Sequence, residues 1–180
     1  ALFEQEGALS QICEKVIVPN LVFRQCDQEQ FEDNPEEFIR KDIEGSDVDT
    51  RRRAAADFVR GLCRFFEPQV IQIFSSFIEQ LLGEYAQNPA LHWRKKDVSI
   101  YLVTTLASRG QTARQGTTKA SGLVDLNTFY TSHVVPELVS TLNDLPVLKA
   151  DGLKPQWLCC TPIALWCEFT PPMHSSAFSP

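Results

Sequence analysis

Residues 51–82 read RRRAAADFVRGLCRFFEPQVIQIFSSFIEQLL, and their spacing predicts two successive helices, each with a broad apolar face. Thr50 is a suitable N-cap for the first helix. Pro68 predicts its end, because proline removes a backbone donor and restricts the preceding residue. The second helix should stop at Asn88-Pro89. We expect the buried faces to be formed by Ala54, Ala55, Phe58, Leu62, Phe65 and Phe66 in the first helix, and by Val70, Ile71, Phe74, Phe77, Ile78, Leu81 and Leu82 in the second.

Helical spacing of apolar residues recurs on both sides of this stretch. Residues 12–21 form an earlier segment of this kind, and later helices are predicted over about 92–109 and 127–142. No segment shows a convincing alternation of the kind that marks a strand. The first 154 residues are therefore predicted to be all-α.

The predicted helices contain an internal repeat. Residues 51–59 superpose on residues 94–102 with a shift of 43, and residues 16–22 match residues 134–139. In the second pair a proline, Pro19 or Pro136, stands between apolar residues where an ordinary helix avoids it. A proline-containing helix followed by a helix that opens with basic residues, at a period of about 40–47, is typical of HEAT repeats. We predict a HEAT-repeat solenoid segment over residues 1–154, with about two and a half helical hairpins.

Three segments depart from the repeat: an acidic insert over 27–49, a polar loop over 110–125 and a tail over 155–180. The tail holds five of the eleven prolines and a single charged residue, Glu168. Proline at this density prevents a long helix, so the tail is predicted to be irregular. It is interpreted either as a docking element or as a divergent C-terminus.

The insert carries ten acidic residues against two basic ones, Arg40 and Lys41. Phe31 and Phe38, with Pro35 at a suitable first helical position, predict a short helix inside it. One interpretation is a solvated loop. The other, favoured because long inserts in compact repeats are uncommon without a role, is a surface that binds a basic partner. Its candidate residues are Glu32, Asp33, Glu36, Glu37, Asp42, Glu44, Asp47 and Asp49.

The helix that follows the insert opens with three arginines at 51–53, which the positive end of a helix disfavours. They could pair with Asp47, Asp49 or Asp57 and so fix the insert to the scaffold. Alternatively, they could bind an acidic ligand along the second helices of the hairpins. The sequence leaves both interpretations open.

Composition and motifs exclude several classes of function. A net charge of −6 argues against nucleic acid as the main partner, and no stretch approaches the roughly 18 apolar residues of a membrane span. The three histidines are far apart, and no nucleophile motif or glycine-rich phosphate loop is present. We expect no catalytic activity, no metal and no cofactor. The six scattered cysteines, without a C-x-x-C, indicate reduced thiols in a cytosolic or nuclear protein.

Several segments together resemble the karyopherin-beta family of nuclear transport receptors, and within it the exportins. They are ICEKVIVPN at 12–20, FEDN at 31–34, DIEGSD at 42–47, DTRRRAA at 49–55 and LPVLKADG at 145–152. The resemblance covers residues 1–154 without a gap. It implies a HEAT-repeat superhelix that binds the GTP form of Ran together with importin-alpha, occurs in nucleus and cytoplasm, and has no catalysis of its own.

The resemblance also implies where partners lie. First helices would form the outer surface and second helices the inner one, and the acidic insert would match a segment implicated in Ran contact. The residues expected on or near the inner surface are Arg51, Arg52, Arg53, Arg60, Lys95 and Lys96. A stand-alone helical adaptor, with the proline-rich tail as its docking element, is the alternative.

Overall fold

The computed structural model describes residues 7–43, 50–109, 119–120, 125–139 and 145–153. These residues are almost entirely helical, apart from one antiparallel pair of short strands, β1 (Ser108–Arg109) and β2 (Lys119–Ala120). None of the described helices is long and apolar enough to cross a membrane. The helices are α1 (Ala8–Ile12, Cys13–Ile17 and Val18–Leu21), α2 (Gln25–Asp33), α3 (Pro35–Phe38 and Ile39–Ile43), α4 (Arg51–Gln87), α5 (Pro89–Ala107), α6 (Leu126–Phe129, Tyr130–Val134 and Val135–Val139) and α7 (Pro146–Leu153).

The helices pack as hairpins. Helix α1 packs against α4, α4 against α5, and α6 against α7, while α5 also contacts α7. Because α4 is bent in the middle, its first half completes the first hairpin and its second half begins the next one. The described chain therefore holds two full hairpins and a third whose second helix has eight residues. The all-α HEAT-repeat prediction is confirmed.

A turn of π-helix stands at the same place in the first and third repeats. It covers Cys13–Ile17 in α1 and Tyr130–Val134 in α6, each ending two residues before a proline, Pro19 or Pro136. A proline ring clashes with the carbonyl four residues back, and the wider π turn relieves this crowding. The two prolines thus mark a deformation that both first helices share, and neither ends its helix.

The predicted helix boundaries around α4 are confirmed. Thr50 Oγ1 accepts a hydrogen bond from the backbone N–H of Arg53 at 3.1 Å. The kink lies at Phe66, where φ is −133° and ψ is 32°, two residues before Pro68. Asn88 separates α4 from α5, and its Oδ1 accepts a hydrogen bond from the N–H of Leu91 at 3.2 Å.

The predicted buried face of the first half of α4 is partly wrong. Ala55 and Leu62 are buried as expected, but Ala54 is exposed, Phe58 is 39% exposed and Phe65 is 81% exposed. The two rings lie seven residues apart, so they share one side of the helix. Apolar periodicity cannot distinguish a side that meets a helix from a side that no described helix covers. In the second half the prediction holds, with Val70, Phe74, Ile78 and Leu81 buried.

Helix α5 is buried on all sides over its last three turns. All residues from Lys96 to Ala107 are buried, including several polar ones. The hydroxyls of Ser99, Thr104 and Thr105 donate to the backbone carbonyls four residues back, at 2.9, 2.7 and 2.7 Å. These local hydrogen bonds satisfy the hydroxyls, so a helix with polar residues can occupy the centre of the fold.

The acidic insert is helical where the structure describes it. Pro35 opens α3 as predicted, and Asn34 Oδ1 accepts a hydrogen bond from the N–H of Glu37 at 3.1 Å. The predicted short helix is confirmed. The alternative interpretation, a solvated loop, is wrong for residues 27–43, because they are helical. The remainder of the insert at 44–49, the polar loop except residues 119–120 and 125, and the tail over 155–180 lie outside the described residues.

Candidate partner-binding surface

The exposed side of the insert is acidic. Glu29, Glu32 and Asp33 on α2 and Glu36 on α3 are exposed. On the side that faces the rest of the protein, the rings of Phe31 and Phe38 are buried. The insert thus presents four exposed carboxylates on two helices whose opposite side packs against the rest of the protein. We name these four carboxylates the acidic face.

An aromatic cluster holds the acidic face in place. The Phe38 ring centre lies 5.6 Å from Phe31 and 5.6 Å from Phe23, and Phe23 lies 5.4 Å from Trp93 at the start of α5. Val147 of α7 belongs to the same buried cluster. The insert therefore packs across the second helices of two successive repeats, because α5 and α7 both contribute to the cluster.

Other acidic residues of the insert have structural partners. Asp27 Oδ2 accepts hydrogen bonds from the backbone N–H of Arg24 and from Arg51 Nη2, both at 2.7 Å. Glu37 accepts hydrogen bonds from Asn34 at 3.2 Å and from Lys41 Nζ. The hydrogen bond and positive charge of Lys41 lower the pKa of Glu37, so this carboxylate is ionised and already engaged within the insert.

A groove of about 510 Å³ lies between the insert and the start of α7. Arg94 lies beside it, with Nη2 donating to Gln28 Oε1 at 2.6 Å and the guanidinium 4.7 Å from the centre of the Trp93 ring. An apolar side chain from a partner would fit this groove, next to a carboxylate of the acidic face. The groove is lined by Gln28, Phe31, Glu32, Pro35, Trp93, Leu145, Pro146 and Val147.

Two predicted binding residues lie in the interior. Arg52 is 2% exposed and Asp42 is 4% exposed, and Arg52 Nη1 donates to Asp42 Oδ2 at 3.1 Å. Arg52 Nη2 also lies 3.0 Å from both carboxylate oxygens of Asp97 and 3.9 Å from Asp151 Oδ2. Within the described chain these two residues hold helices together, so they offer no surface to a partner.

The remaining arginines at this helix start have local roles. Arg51 Nη2 donates to the carbonyl of Val22 at 3.0 Å as well as to Asp27. Arg53 is half-buried, and Arg60 pairs with Asp57 at 2.6 Å along the same helix. Pairing with carboxylates is therefore observed for Arg51, Arg52 and Arg60. Among the described residues, Arg51 pairs with Asp27 and Arg52 pairs with Asp42 and Asp97.

The two lysines of α5 are also paired. Lys95 Nζ lies 3.1 Å from Glu84 Oε2, and both side chains are partly exposed. Lys96 is buried, with Nζ 2.6 Å from Glu137 Oε1 of α6 and 4.4 Å from the centre of the Tyr85 ring. Tyr85 donates to the same Glu137 oxygen at 2.6 Å. Lys96 thus joins the second repeat to the third.

Several of these partners could not be predicted from the sequence. Each of three acidic residues lies more than 40 positions along the chain from the cation that it contacts: Asp97, Asp151 and Glu137. No short sequence motif marks any of them. Three predicted binding residues, Glu44, Asp47 and Asp49, lie outside the described residues. In the described part of the chain, no group of three histidine, cysteine or acidic side chains could hold a metal ion.

The stacked helical hairpins define a class of protein, the helical-repeat solenoids. The comparison with known families makes this specific. The Cse1 family model matches residues 1–158, and the chain therefore belongs to the Cse1 family.

Relatives and a solved structure agree with this assignment. The chain is 58% identical over 154 residues to Exportin-2 of Homo sapiens and of Bos taurus, and 55% identical to Exportin-2 of Danio rerio. These matches cover 85% of this chain and 16% of each relative. The structure of the exportin Cse1 in its cargo-free, cytoplasmic state matches with a TM-score of 0.79 at 37% identity, over 86% of this chain and 17% of the other.

The chain thus spans about a sixth of the length of the relatives it matches and corresponds to part of an exportin. This agreement supports the exportin hypothesis over the stand-alone adaptor.

Proposed function

We propose that the acidic face of the insert, Glu29, Glu32, Asp33 and Glu36, is a partner-binding surface of an exportin. The observation that carries this proposal is the separation of the two sides of the insert. Its rings are buried against α5 and α7, while these carboxylates are exposed and ordered on helices. Acidic side chains on a fixed support attract a basic surface and orient it on arrival.

The partners follow from the family resemblance. The GTP form of Ran and importin-alpha are the proposed ligands of the longer protein, and the groove beside Trp93 would accept an apolar side chain of whichever of them meets the insert. The proposal includes movement between nucleus and cytoplasm. It assigns no catalysis to the chain, since binding and release are sufficient for a transport receptor.

The test is a double charge reversal on the acidic face. Glu32→Lys with Glu36→Lys changes two exposed carboxylates and leaves the ion pairs of Asp27 and Glu37 intact. Association of the 180-residue chain with GTP-loaded Ran and with importin-alpha is then measured at low and at high salt. We expect the association rate to fall at low salt and the difference to shrink at high salt, because exposed charges are screened beyond about 8–10 Å.

A matched control separates the site from net charge. Glu14→Lys with Glu79→Lys makes the same change in charge at two exposed positions on α1 and α4. This control should bind as the wild-type chain does, and thermal unfolding should be unchanged in both variants. Equal loss of binding in the two variants would show that only the overall charge matters. Unchanged binding of both partners in the first variant would reject the acidic face as the site.

A further inference from the structure

Four buried charged groups from four helices meet in the interior. Arg52 of α4 is surrounded by Asp42 of α3, Asp97 of α5 and Asp151 of α7, and each of the four is at most 4% exposed. Asp42 and Asp97 lie within 3.1 Å of the guanidinium nitrogens, and Thr50 Oγ1 donates to Asp42 at 3.0 Å. If all three carboxylates were ionised, the cluster would hold two more negative charges than positive ones.

One carboxylate oxygen of the cluster, Oδ2 of Asp151, lacks a donor. This oxygen is 3.9 Å from Arg52 Nη2, which is too long for a hydrogen bond, and it accepts none from any other described residue. Tyr101 also faces the cluster, with its ring centre 4.3 Å from the Arg52 guanidinium. A buried ionised carboxylate without a donor costs several kcal/mol, so it needs either a proton or a cation.

The adjacent carboxyl is placed to supply that proton. Burial raises the pKa of Asp97, Arg52 opposes the effect, and the charge of the neighbouring Asp151 carboxyl raises it further. Asp97 lies 3.0 Å and Asp151 lies 3.9 Å from the same Arg52 nitrogen, so a protonated carboxyl of one is placed to donate to the carboxylate of the other. Carboxylates that share a site in other proteins retain one proton for the same reason.

We propose that Asp97 and Asp151 form a proton-binding pair, which retains one shared proton at neutral pH and fastens α7 to α5. The proton gives Asp151 its missing donor and reduces the excess charge around Arg52. Helix α7 has only eight residues, with Val147 and Leu148 as its buried apolar side chains. Repulsion between the two ionised carboxylates would therefore act directly on the docking of α7, and on α3, which contacts α7.

The test is the pH dependence of urea unfolding of the 180-residue chain, from about pH 5 to pH 8. The folded-state pKa is raised, so the stabilisation is complete at acidic pH and is lost as the pH rises through the folded-state value. We expect the folding equilibrium constant to fall by up to about tenfold per pH unit in that window. Asp151→Asn supplies a neutral donor of the same shape. In this variant the folding equilibrium constant should no longer fall with pH in that window, and the variant should be more stable than the wild-type chain at alkaline pH.

Asp57→Asn is the matched control, since Asp57 is exposed, and it should keep the wild-type slope. Identical slopes in the wild-type chain and Asp151→Asn would overturn the proposal. So would a wild-type slope that changes with sodium at constant ionic strength, because a cation would then neutralise the cluster. Infrared spectra of the wild-type chain give a test that needs no variant. A protonated-carboxyl band should be present at neutral pH and disappear on thermal unfolding, and its absence from the native spectrum would refute the pair.

Discussion

The guanidinium of Arg52 lies 4.3 Å from the centre of the Tyr101 ring, so a cation of the first repeat stacks on an aromatic residue of the second. The 43-residue shift places Phe58 at the position that Tyr101 has one repeat later. Tyr101 is buried, whereas the Phe58 ring is 39% exposed. The same repeat position is thus a helix contact in one copy and an open surface in the other.

Arg52 should be indispensable for folding. Replacing it with methionine removes the cation that Asp42, Asp97 and Asp151 share, and breaking a buried ion pair in this way costs about 3–5 kcal/mol. Urea unfolding of Arg52→Met measures the loss. Arg60→Met provides the control, because the partly exposed pair of Arg60 with Asp57 should contribute no more than about 1 kcal/mol. Equal effects of the two substitutions would contradict this role.

Glu137 should hold the third repeat against the second. Glu137→Ala removes the common acceptor of Lys96 Nζ and the Tyr85 hydroxyl, and leaves a buried ammonium unpaired. We expect a loss of about 2–4 kcal/mol in the free energy of unfolding. A double-mutant cycle with Lys96→Met isolates the pair, since the second substitution should cost much less when the first is present. Additive effects would mean that the two side chains do not interact.

The exposed and buried phenylalanines of α4 should differ sharply in their effect on stability. Phe65→Ala should change the free energy of unfolding by less than about 0.5 kcal/mol, because its ring is 81% exposed. Phe74→Ala, in the second half of the same helix, should cost about 3–5 kcal/mol, since Phe74 is fully buried. Thermal or urea unfolding measures both. A large loss in Phe65→Ala would show that this ring is covered in solution.

Thiol reactivity should distinguish the described cysteines. Burial raises the pKa of Cys13 and of Cys63 to about 11, so very little thiolate forms at either near neutral pH. Cys26 is exposed. When the native chain is alkylated at about pH 8 and the products are mapped by mass spectrometry, Cys26 should be the one of the three described cysteines that is modified. Cys13 and Cys63 should react only after unfolding, and rapid native labelling of either would contradict the packing of α1 on α4.

The sequence was sufficient wherever a feature is local. Helical spacing, the Thr50 cap, the Pro68 break and the 43-residue repeat each depend on residues close together along the chain, and the structure confirms them. The positions of Pro19 and Pro136 indicated the deformation but not its form as a π turn. Local rules were thus enough to predict the repeats and the existence of a helical insert.

Partner choice among charged residues could not be predicted in the same way. Asp42 was predicted to lie on a binding surface, but it is buried, because Arg52 and Thr50 compensate its charge. Arg51 pairs with Asp27, which stands at the start of the insert. The carboxylates nearest to Arg51 in sequence stand at the end of the insert. These pairings follow from how α2 and α3 fold back over the second helices, and one sequence does not encode that path in any short motif.

The burial of α5 on every side has a consequence for exchange of its amide hydrogens with solvent. All its residues from Lys96 to Ala107 are buried, and the helix contacts α1, α4, α6 and α7. Deuterium should therefore enter α4 at Ala54–Phe65 and the short α7 through local openings, but reach the middle of α5 only when the whole molecule opens. The slowest amides should lie here, and their rate should equal that of global unfolding.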